Sequence, residues 1–542
     1  MKFIFITGGV VSSVGKGLFA GALGALLESS GLKCTCMKLD PYVNVDPGTM
    51  RPSEHGEVYV THDGIETDLD LGHYERFLST EIGGNHYATT GQIYSEVIRK
   101  ERQGDYLGAC VQVVPHITNH IQSLIEKVGH KHDITLVEVG GTVGDIESLP
   151  FLEAIRQLRI RYGAHQVVFV HVTWLPYIES AGELKTKPTQ HSVKELRSIG
   201  IQPDILVCRS KSSINITQKE KIALFTNVPI EAVISTPDLE SIYAMPSVLA
   251  AQKVDKLIQS QMNIEEYKID ISRWETLIKP ALNNKNKPLK IAIIGKYVSC
   301  KDAYKSLDEA LKHASMAIDY PIVLEHVSAS SESLTANMLS TYNGIIVPGG
   351  FGSRGVEGKL LAIQYAREHQ VPFLGICYGM QLAVIEFCRH VLGLKGANSS
   401  EIDSNTPHPV VGIIEELCQR KSAKQAIHSK MMLGGTMRLG AITDTVKKGS
   451  LLSQVYQAET LRERHRHRYE VNPEYCREMA ANGMIVSGLS EREGFIDVIE
   501  IKEHPWFMGC QFHPEFTSKP LEPSKLFVSF LNAAKKRQEI AS

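Results

Sequence analysis

A cysteine set between two glycines, Gly375-Ile376-Cys377-Tyr378-Gly379, constrains this chain more than any other feature. The run follows a buried-strand pattern, Val371-Pro372-Phe373-Leu374, and opens a helix-like stretch from Met380 to Ile385. Glycine two residues before and two after the cysteine permits a strained strand-to-helix turn, because no Cβ blocks the close backbone approach. Such a turn lifts the central side chain out of the sheet and places its sulfur at a helix N-terminus, where the macrodipole favours thiolate. The chain must then supply an open α/β sheet around it, and Cys377 becomes a candidate nucleophile.

Two further segments complete that chemistry. Gln511-Phe512-His513-Pro514-Glu515 follows another apolar stretch, and on an extended chain residues i and i+2 face one side. His513 can therefore serve Cys377 as base while Glu515 orients the imidazole. Ile345-Ile346-Val347-Pro348-Gly349-Gly350-Phe351-Gly352 ends a strand in a glycine run whose N–H groups could hold an oxyanion. In this order and spacing, the region from about Leu289 to the C-terminus resembles a class I (triad) glutamine amidotransferase domain over its full length.

At 542 residues the chain is long enough for two to four domains. Its 43% hydrophobic and 22% charged residues are those of a globular protein, and a net charge of -2 argues against general nucleic-acid or membrane-surface binding. No apolar run approaches membrane-spanning length, and Met1-Lys2-Phe3-Ile4-Phe5-Ile6 reads as a first strand rather than a signal peptide. The ten cysteines are scattered, and Cys34-Thr35-Cys36 lies in a strand-like run, which fits buried packing better than a zinc site. A reducing, cytoplasmic location is expected.

The N-terminal half carries a phosphate-loop context. Strand Phe3–Thr7 runs into Gly8-Gly9-Val10-Val11-Ser12-Ser13-Val14-Gly15-Lys16-Gly17 and then an Ala/Leu-rich helix through Glu28. Backbone N–H groups of such a turn form a nest for an anion, and Lys16 reaches the outer phosphates. Five residues separate Gly9 from Gly15 where the usual loop has four, and Gly17 replaces the usual Ser/Thr, so a metal must be held from elsewhere. Buried strand Ile134–Val139 delivers Glu138 at its C-terminal end. Thr67-Asp68-Leu69-Asp70 supplies a second acidic position, with Asp68 and Asp70 on one side if that segment is extended. Asp70 with Glu138 is an oxygen-only pair suited to Mg²⁺. Lys185-Thr186-Lys187-Pro188-Thr189-Gln190, in a polar turn before a helix expected near Ser192, suits a second polyanion or a pyrimidine edge.

With Lys38-Leu39-Asp40-Pro41-Tyr42-Val43-Asn44-Val45-Asp46-Pro47-Gly48-Thr49-Met50, these segments resemble the synthetase (amidoligase) domain of the CTP synthase family, and the resemblance covers essentially the whole chain. A more distant similarity is to dethiobiotin-synthetase-type P-loop ligases. The resemblance implies two doubly wound α/β domains: residues 1–265, with a mostly parallel sheet, and 289–542, joined by a polar linker at 266–288. It implies amination of UTP to CTP by ammonia released from glutamine, with ATP phosphorylating the pyrimidine oxygen. By matching motif, Ser13, Val14, Gly15, Lys16, Gly17 and Leu18 would cradle ATP, with Pro237, Asp238 and Leu239 near adenine. Asp70 and Glu138 would hold Mg²⁺, Asp70 also facing ATP. Ser12, Asp145, Ile146, Glu147, Lys185 to Gln190 and Lys221 would bind UTP or CTP.

Around Cys377, the same resemblance assigns Gly350, Tyr378, Gly379, Met380, Gln381, Glu401 and Arg468 to glutamine. The family often has Leu where Tyr378 stands, so that contact is expected to run through the backbone. Glu463-Arg464-His465-Arg466-His467-Arg468 is read as a local site for the glutamine carboxylate rather than a nucleic-acid patch. Phe351–Gly355 is similar to the family's lid, where GTP acts as activator, and the family implies a homotetramer. Two alternatives stay open here: a cobyrinic-acid-type glutamine-dependent amidase, and a non-catalytic P-loop scaffold.

Overall fold

The computed structural model describes residues 1–265, 267–283, 286–330, 334–413 and 437–541. Their contacts separate two compact units, Met1–Thr49 with Glu66–Lys279, and Met50–Ile65 with Pro280–Ser542.

In the first unit, β1 (Lys2–Gly8) leads to α1 (Lys16–Glu28) and β2 (Cys34–Asp40), followed by α2 (Asp70–Phe77) and β3 (Tyr87–Thr89). Then come β4 (Ile134–Val139), α3 (Leu149–Tyr162), β5 (Val167–Trp174), α4 (Lys187–Ser198), β6 (Ile205–Ser210), α5 (Ile216–Thr226) and β7 (Val233–Pro237). The strands form one parallel sheet in the order β7-β6-β5-β1-β4-β2-β3. Alternation divides β1 between the two faces. Phe3 and Phe5 enter a core with Val137, Phe151, Ile155 and Phe169, so Ile4 and Ile6 face the other way. A strand buried on both faces must read as a continuous apolar run, as β1 and β4 do.

Two expectations for this unit are corrected. Asp68 and Asp70 do not lie side by side on an extended segment: the strand stops at Thr67 and α2 begins at Asp70, with the Asp68 Oδ1 accepting the Asp70 N–H at 2.8 Å. A short carboxylate competes for backbone N–H groups at a helix start, and this one wins against the strand. The helix expected near Ser192 begins at Lys187, with Pro188 in its first turn where a missing N–H costs nothing.

Of the linker expected at 266–288, residues Ser272–Asn283 are helical, and Trp274 stacks on Phe77 at 5.3 Å, which draws that helix onto the first unit. Residues 266, 284 and 285 lie outside the described residues.

In the second unit, β8 (Leu289–Gly295), α6 (Lys305–Ala317), β9 (Ile322–Ser328), β10 (Gly344–Val347), α7 (Val356–Glu368), β11 (Phe373–Ile376) and α8 (Tyr378–His390) precede β12 (Arg438–Val446) and β13 (Thr460–His467). β14 (Met484–Ser490), β15 (Ile496–Ile501), β16 (Phe507–Cys510) and α9 (Lys525–Ala541) complete it. The sheet order is β9-β8-β10-β11-β16-β15-β14-β12-β13, parallel from β9 to β16 and antiparallel beyond. The end expected to fray after Ala534 stays helical to Ala541, and Ala534 itself is fully buried.

Residues 50–65, expected with the first domain, pack on this second unit. The Glu57 N–H donates to the Asp302 carbonyl at 3.0 Å, and the Glu57 carboxylate accepts the Ser306 N–H at 2.8 Å. The Ala441 N–H donates to the His62 carbonyl at 2.9 Å.

Cys377 sits between β11 and α8 with φ 51° and ψ −102°, outside the ordinary regions for an L-residue. Strain of this kind costs on the order of 1–3 kcal/mol and persists only where surroundings enforce it. Here the Cys377 N–H donates to the Cys510 carbonyl at 2.7 Å, and α8 lies against β10 so closely that a Cβ on Gly379 would stand 2.0 Å from the Val347 carbonyl oxygen. Gly379→Ala is therefore expected to destabilise the second unit by about 1–3 kcal/mol, the usual cost of overpacking, and to abolish chemistry at Cys377. Thermal unfolding and thiol alkylation of Cys377 check this, and a wild-type unfolding temperature would contradict it.

Candidate functional site

Each unit carries a site at the C-terminal ends of its parallel strands, where α/β sheets bind ligands. In the first, the loop after β1 contains left-handed residues at Val10, Ser13 and Gly15 (φ 77°, 54° and 91°). These reverse the chain so that α1 starts at Lys16 with its N–H groups facing the loop. The Lys16 ammonium donates to the Gly141 carbonyl at 2.6 Å, and burial chiefly lowers its pKa. Gly17, the departure from the usual loop, has a physical use: a Cβ there would stand 2.2 Å from Asp70 Oδ1. Losing the hydroxyl makes room for a carboxylate.

That carboxylate belongs to a buried cluster centred on Lys38, a residue to which the motif reading gave no role. The Lys38 ammonium donates to Asp70, to Glu138 Oε1 at 2.9 Å, and lies 3.6 Å from Asp40 Oδ1. Glu138 also accepts the Tyr74 hydroxyl. Burial opposes the Lys38 charge, but Asp40, Asp70 and Glu138 outweigh it and hold the pKa well above the lysine range. Burial likewise opposes ionisation of Asp70, and Lys38 reverses that, leaving Asp70 low. Glu138 is raised by burial and by Asp70. Asp70 and Glu138 thus converge on a single cation, with hard oxygen donors of the type Mg²⁺ prefers, so the pair fits that ion. A lysine in the middle of an otherwise apolar or small buried strand (Cys34–Asp40) was the signal available in the sequence.

The adenine-side expectation also finds a cavity. Pro237, Asp238 and Leu239 line a pocket of about 260 Å³ together with Val14, Gly15 and Leu18 of the phosphate loop and its helix. Arg209, unnoticed in the sequence, lies in the same wall, donating to the Val14 carbonyl at 3.4 Å and reaching Asp238 at 3.6 Å. The pyrimidine-side residues are more dispersed. Ser12, Ile146 and Glu147 are exposed, and the Asp145 carboxylate accepts the Thr142 N–H at 2.8 Å. Lys185 pairs with Glu183, whose pKa is lowered first by that bond and also by Lys221. Thr186 accepts from Gln190 at 3.1 Å, while the buried Thr189 hydroxyl turns inward to Thr173 at 3.2 Å. Lys187 and Pro188 form the first turn of α4. Thr189 is therefore held by the interior rather than presented outward.

In the second unit the His513 Nδ1 and Glu515 Oε1 are 2.7 Å apart, and Cys377 lies beside the same imidazole. Burial works against a charged imidazole, but Glu515 and Cys377 outweigh it and raise His513 to about 10. A charged imidazole beside a thiol is the proton-transfer partner that nucleophilic catalysis at sulfur needs. Two contacts on Cys377 were not foreseen: its Sγ–H reaches the Arg466 carbonyl at 3.7 Å, and Gln511 Nε2 donates to the sulfur at 3.6 Å.

The expected oxyanion loop is tied down from three sides. The Gly352 N–H donates to Glu401 Oε1 at 2.8 Å, the Gly352 carbonyl accepts the Tyr378 hydroxyl at 2.6 Å, and the Phe351 carbonyl accepts Lys296. The Tyr378 side chain thus braces this loop. Gln381 Nε2 donates to the Tyr469 carbonyl at 2.9 Å and to Gln511 at 3.2 Å, which fixes α8 against the strands. Gly350 and Met380 flank the elbow, and Arg468 is exposed beyond the end of β13. The Arg/His run is strand β13: His465 and His467 are buried, and the Arg464 carbonyl accepts the His513 N–H at 2.8 Å.

Beneath Gly350 lies a residue the sequence did not single out. Lys359 is fully buried on α7, its ammonium has no hydrogen-bond partner among the described residues, and it rests 4.9 Å from the centroid of the Tyr378 ring. Burial, with help from Lys296, brings its pKa down to about 7. Folding lowers this pKa, so the amine opposes folding over the range where the unfolded chain holds the proton. That penalty grows as pH falls from about 10.4 to about 7 and is constant below. Lys359→Met is expected to raise the unfolding temperature at pH 6 by at least about 2–4 °C, the shift from about 1 kcal/mol in a unit of this size, and by less at pH 10. Equal shifts at the two pH values would contradict the assignment.

Comparison with known proteins places both halves of the chain in one family. The family model "CTP synthase N-terminus" matches residues 2–264, and "Glutamine amidotransferase class-I" matches residues 299–533. A CTP synthase from Buchnera aphidicola subsp. Schizaphis graminum is 52% identical over 543 residues, covering 99% of this chain and 98% of that protein. Among solved structures, the glutaminase domain of Trypanosoma brucei CTPS with bound acivicin is 34% identical, covering 46% of this chain and 94% of its own, at TM-score 0.41. A glutamine amidotransferase from Thermotoga maritima is 11% identical, covering 46% and 98%, at TM-score 0.25. With full-length identity at this level and both catalytic halves matched, the chain belongs to the CTP synthase family.

Proposed function

We propose that this chain aminates UTP to CTP at the Lys16/Lys38 site, using ammonia released from glutamine at Cys377. The observation that carries the reading is the pairing, in one chain, of a sulfur–imidazole–carboxylate triad with a phosphate loop beside one buried and one half-buried carboxylate.

At the triad, the Cys377 sulfur attacks the glutamine side-chain carbonyl, and His513 gives its proton to the departing nitrogen, which leaves as ammonia. Water then attacks the thioester, His513 takes a proton from it, and glutamate departs with the sulfur restored. Backbone N–H groups at Gly350 and Tyr378 stabilise the oxyanion, held in place by the Tyr378, Glu401 and Lys296 ties. Glu401 and Arg468 bind the amino and carboxylate groups of glutamine.

At the other site a pyrimidine carbonyl oxygen is a poor leaving group. Attack of UTP O4 on the γ-phosphoryl group of ATP makes it a phosphate ester and releases ADP. Ammonia then displaces inorganic phosphate to give CTP. Lys16 would leave the Gly141 carbonyl for the transferring phosphoryl group, and Lys38 would balance its charge. Asp70 and Glu138 would hold Mg²⁺, which would neutralise the phosphate oxygens. ATP lies along Ser13 to Leu18 with its base toward Pro237–Leu239 and Arg209. UTP and the CTP product engage Ser12, Asp145 to Glu147, Lys185 to Gln190 and Lys221. Ammonia passes between the two sites without entering bulk water, where protonation would remove its lone pair.

GTP is the expected activator at the Phe351–Gly355 lid, where Lys296 lies over the rings of Phe351 (4.0 Å) and Tyr297 (5.0 Å). Tetramer formation is supported by apolar side chains exposed on the first unit, among them Leu107, Val113, Val114, Ile146, Leu149 and Ile160. A reducing cytoplasm is supported by the cysteines, all free among the described residues. No helix among them is long and apolar enough to cross a membrane.

Cys377→Ala is expected to lose CTP formation from glutamine by at least about 10³-fold while retaining formation from added ammonium. Lys16→Ala is expected to lose both by a similar factor, because phosphoryl transfer precedes amination. CTP absorbance with ATP, UTP, GTP and either nitrogen source reads both variants. Ammonium-dependent CTP synthesis by Lys16→Ala would overturn the order of steps, and its absence in folded Cys377→Ala would overturn the separation of sites.

A further inference from the structure

The base of the triad is held by a tyrosine from the far end of the sequence. Tyr59, in the short strand Tyr59–Val60, is 1% exposed and lies within the second unit. Its hydroxyl donates to the Phe516 carbonyl at 2.9 Å and accepts from Arg464 Nη1 at 2.8 Å. Its ring meets the Phe516 ring edge-on, with centroids 5.1 Å apart and planes at 67°. The Phe516 ring in turn lies flat on the His513 imidazole, at 5.0 Å and 17°. On the other side, the Arg464 carbonyl accepts the His513 N–H at 2.8 Å, and its guanidinium also donates to the Val60 carbonyl at 3.0 Å. Both elements that fix His513, the Phe516 ring and the β13 backbone, therefore end on the same tyrosine.

We propose that Tyr59 is a positioning residue for glutamine hydrolysis: it clamps Phe516 and Arg464 and so sets the plane in which His513 meets Cys377. The inference rests on the reading of Cys377, His513 and Glu515 as a glutaminase triad. Its chemistry is geometric. The Glu515 bond fixes one ring nitrogen but leaves the imidazole free to tilt about that bond. A flat aromatic face removes the tilt, and a ring held at both its edge and its backbone carbonyl cannot withdraw. Proton delivery to the departing nitrogen depends on that plane. The glutamine-binding residues proposed above, Glu401 and Arg468, lie outside this set, so the effect falls on turnover rather than on binding.

The sequence separates Tyr59 from the region that resembles a glutaminase by more than two hundred residues. The chain enters the 50–65 segment from Thr49 and leaves it into Glu66, both belonging to the first unit. The positioning group for one reaction is thus carried on a segment whose two ends are fixed in the part of the chain that performs the other.

The test measures glutamate release directly, with saturating ATP, UTP and GTP, in the full-length enzyme. Tyr59→Phe keeps the ring contact and removes the hydroxyl, and Tyr59→Leu removes both. Tyr59→Leu is expected to lower kcat by about ten- to a hundredfold, the scale of a misplaced catalytic group, with KM for glutamine within about twofold. Tyr59→Phe falls between it and wild type. CTP formation from ammonium stays within about twofold of wild type in both. The pH dependence of Cys377 alkylation by iodoacetamide, followed on its own peptide, is expected to shift in both variants. Glu515, Cys377, His465 and His467 act on that imidazole in every variant alike. If Tyr59→Leu does not fold, Tyr59→Phe decides alone. Wild-type kcat and an unshifted alkylation profile in Tyr59→Phe would overturn the inference, as would a loss confined to KM. Wild-type enzyme that releases no glutamate, or Cys377→Ala that still does, would overturn the triad reading instead.

Discussion

Both sites depend on backbone approaching backbone, or carboxylate approaching backbone, where an ordinary residue would place a side chain. At the end of β11 the first turn of α8 lies on the Val347 carbonyl, and only a residue without Cβ can stand at 379. That contact holds Cys377 in its left-handed conformation and aims the sulfur at His513. At the end of β1 the same economy of space at residue 17 admits Asp70 against the start of α1. The parallel sheets raise the strand ends to where the chemistry occurs, but these two gaps decide which atoms can meet there. Each missing side chain in effect shapes a ligand site.

The two sites handle charge in opposite ways. Around Lys38, three carboxylates surround one buried ammonium and together hold its pKa up against the cost of burial. A cluster of that kind suits phosphate chemistry, because incoming negative charge meets lysines already held in place by carboxylates. Around Cys377 the balance runs through a single imidazole, with Glu515 on one side and sulfur on the other. Lys359 belongs to neither pattern. Its amine is buried against an aromatic face with no hydrogen-bond partner among the described residues, which fits the depressed pKa and sets it apart from the paired lysines of the first unit.

Much of this was legible in the sequence because it is local. The elbow at 375–379, the phosphate loop at 8–17 and the His-Pro-Glu run each encode a turn and a reactive side chain within a few residues, and in the structure they lie between β11 and α8, between β1 and α1, and with His513 on Glu515. Legibility failed where long-range packing overrides a local pattern. Asp68 and Asp70 alternate like strand residues, yet a helix start captures Asp68 as its cap. Thr189 reads as a polar ligand group, yet its hydroxyl turns into the interior. Lys38 and Arg209 occupy strands whose other residues suggest plain core, and their roles emerge only when neighbouring strands bring carboxylates or a cavity beside them. Tyr59 was the least legible, since nothing in its neighbourhood marks it as part of a distant unit.

The excursion of residues 50–65 bears on how such a protein can be divided. A single cut between residues 265 and 289 separates two sequence motifs but not two structural units, because a loop of the first half stays behind in neither piece as it was. A fragment beginning at 289 would keep Arg464 while losing the hydroxyl and carbonyl its guanidinium bonds. A fragment ending at 265 would expose the tyrosine, the Glu57 carboxylate and the His62 carbonyl that the second unit now covers. The two enzymes are stitched rather than strung together, and any ancestral fusion or engineered exchange of the halves has to carry that loop with the glutaminase it serves.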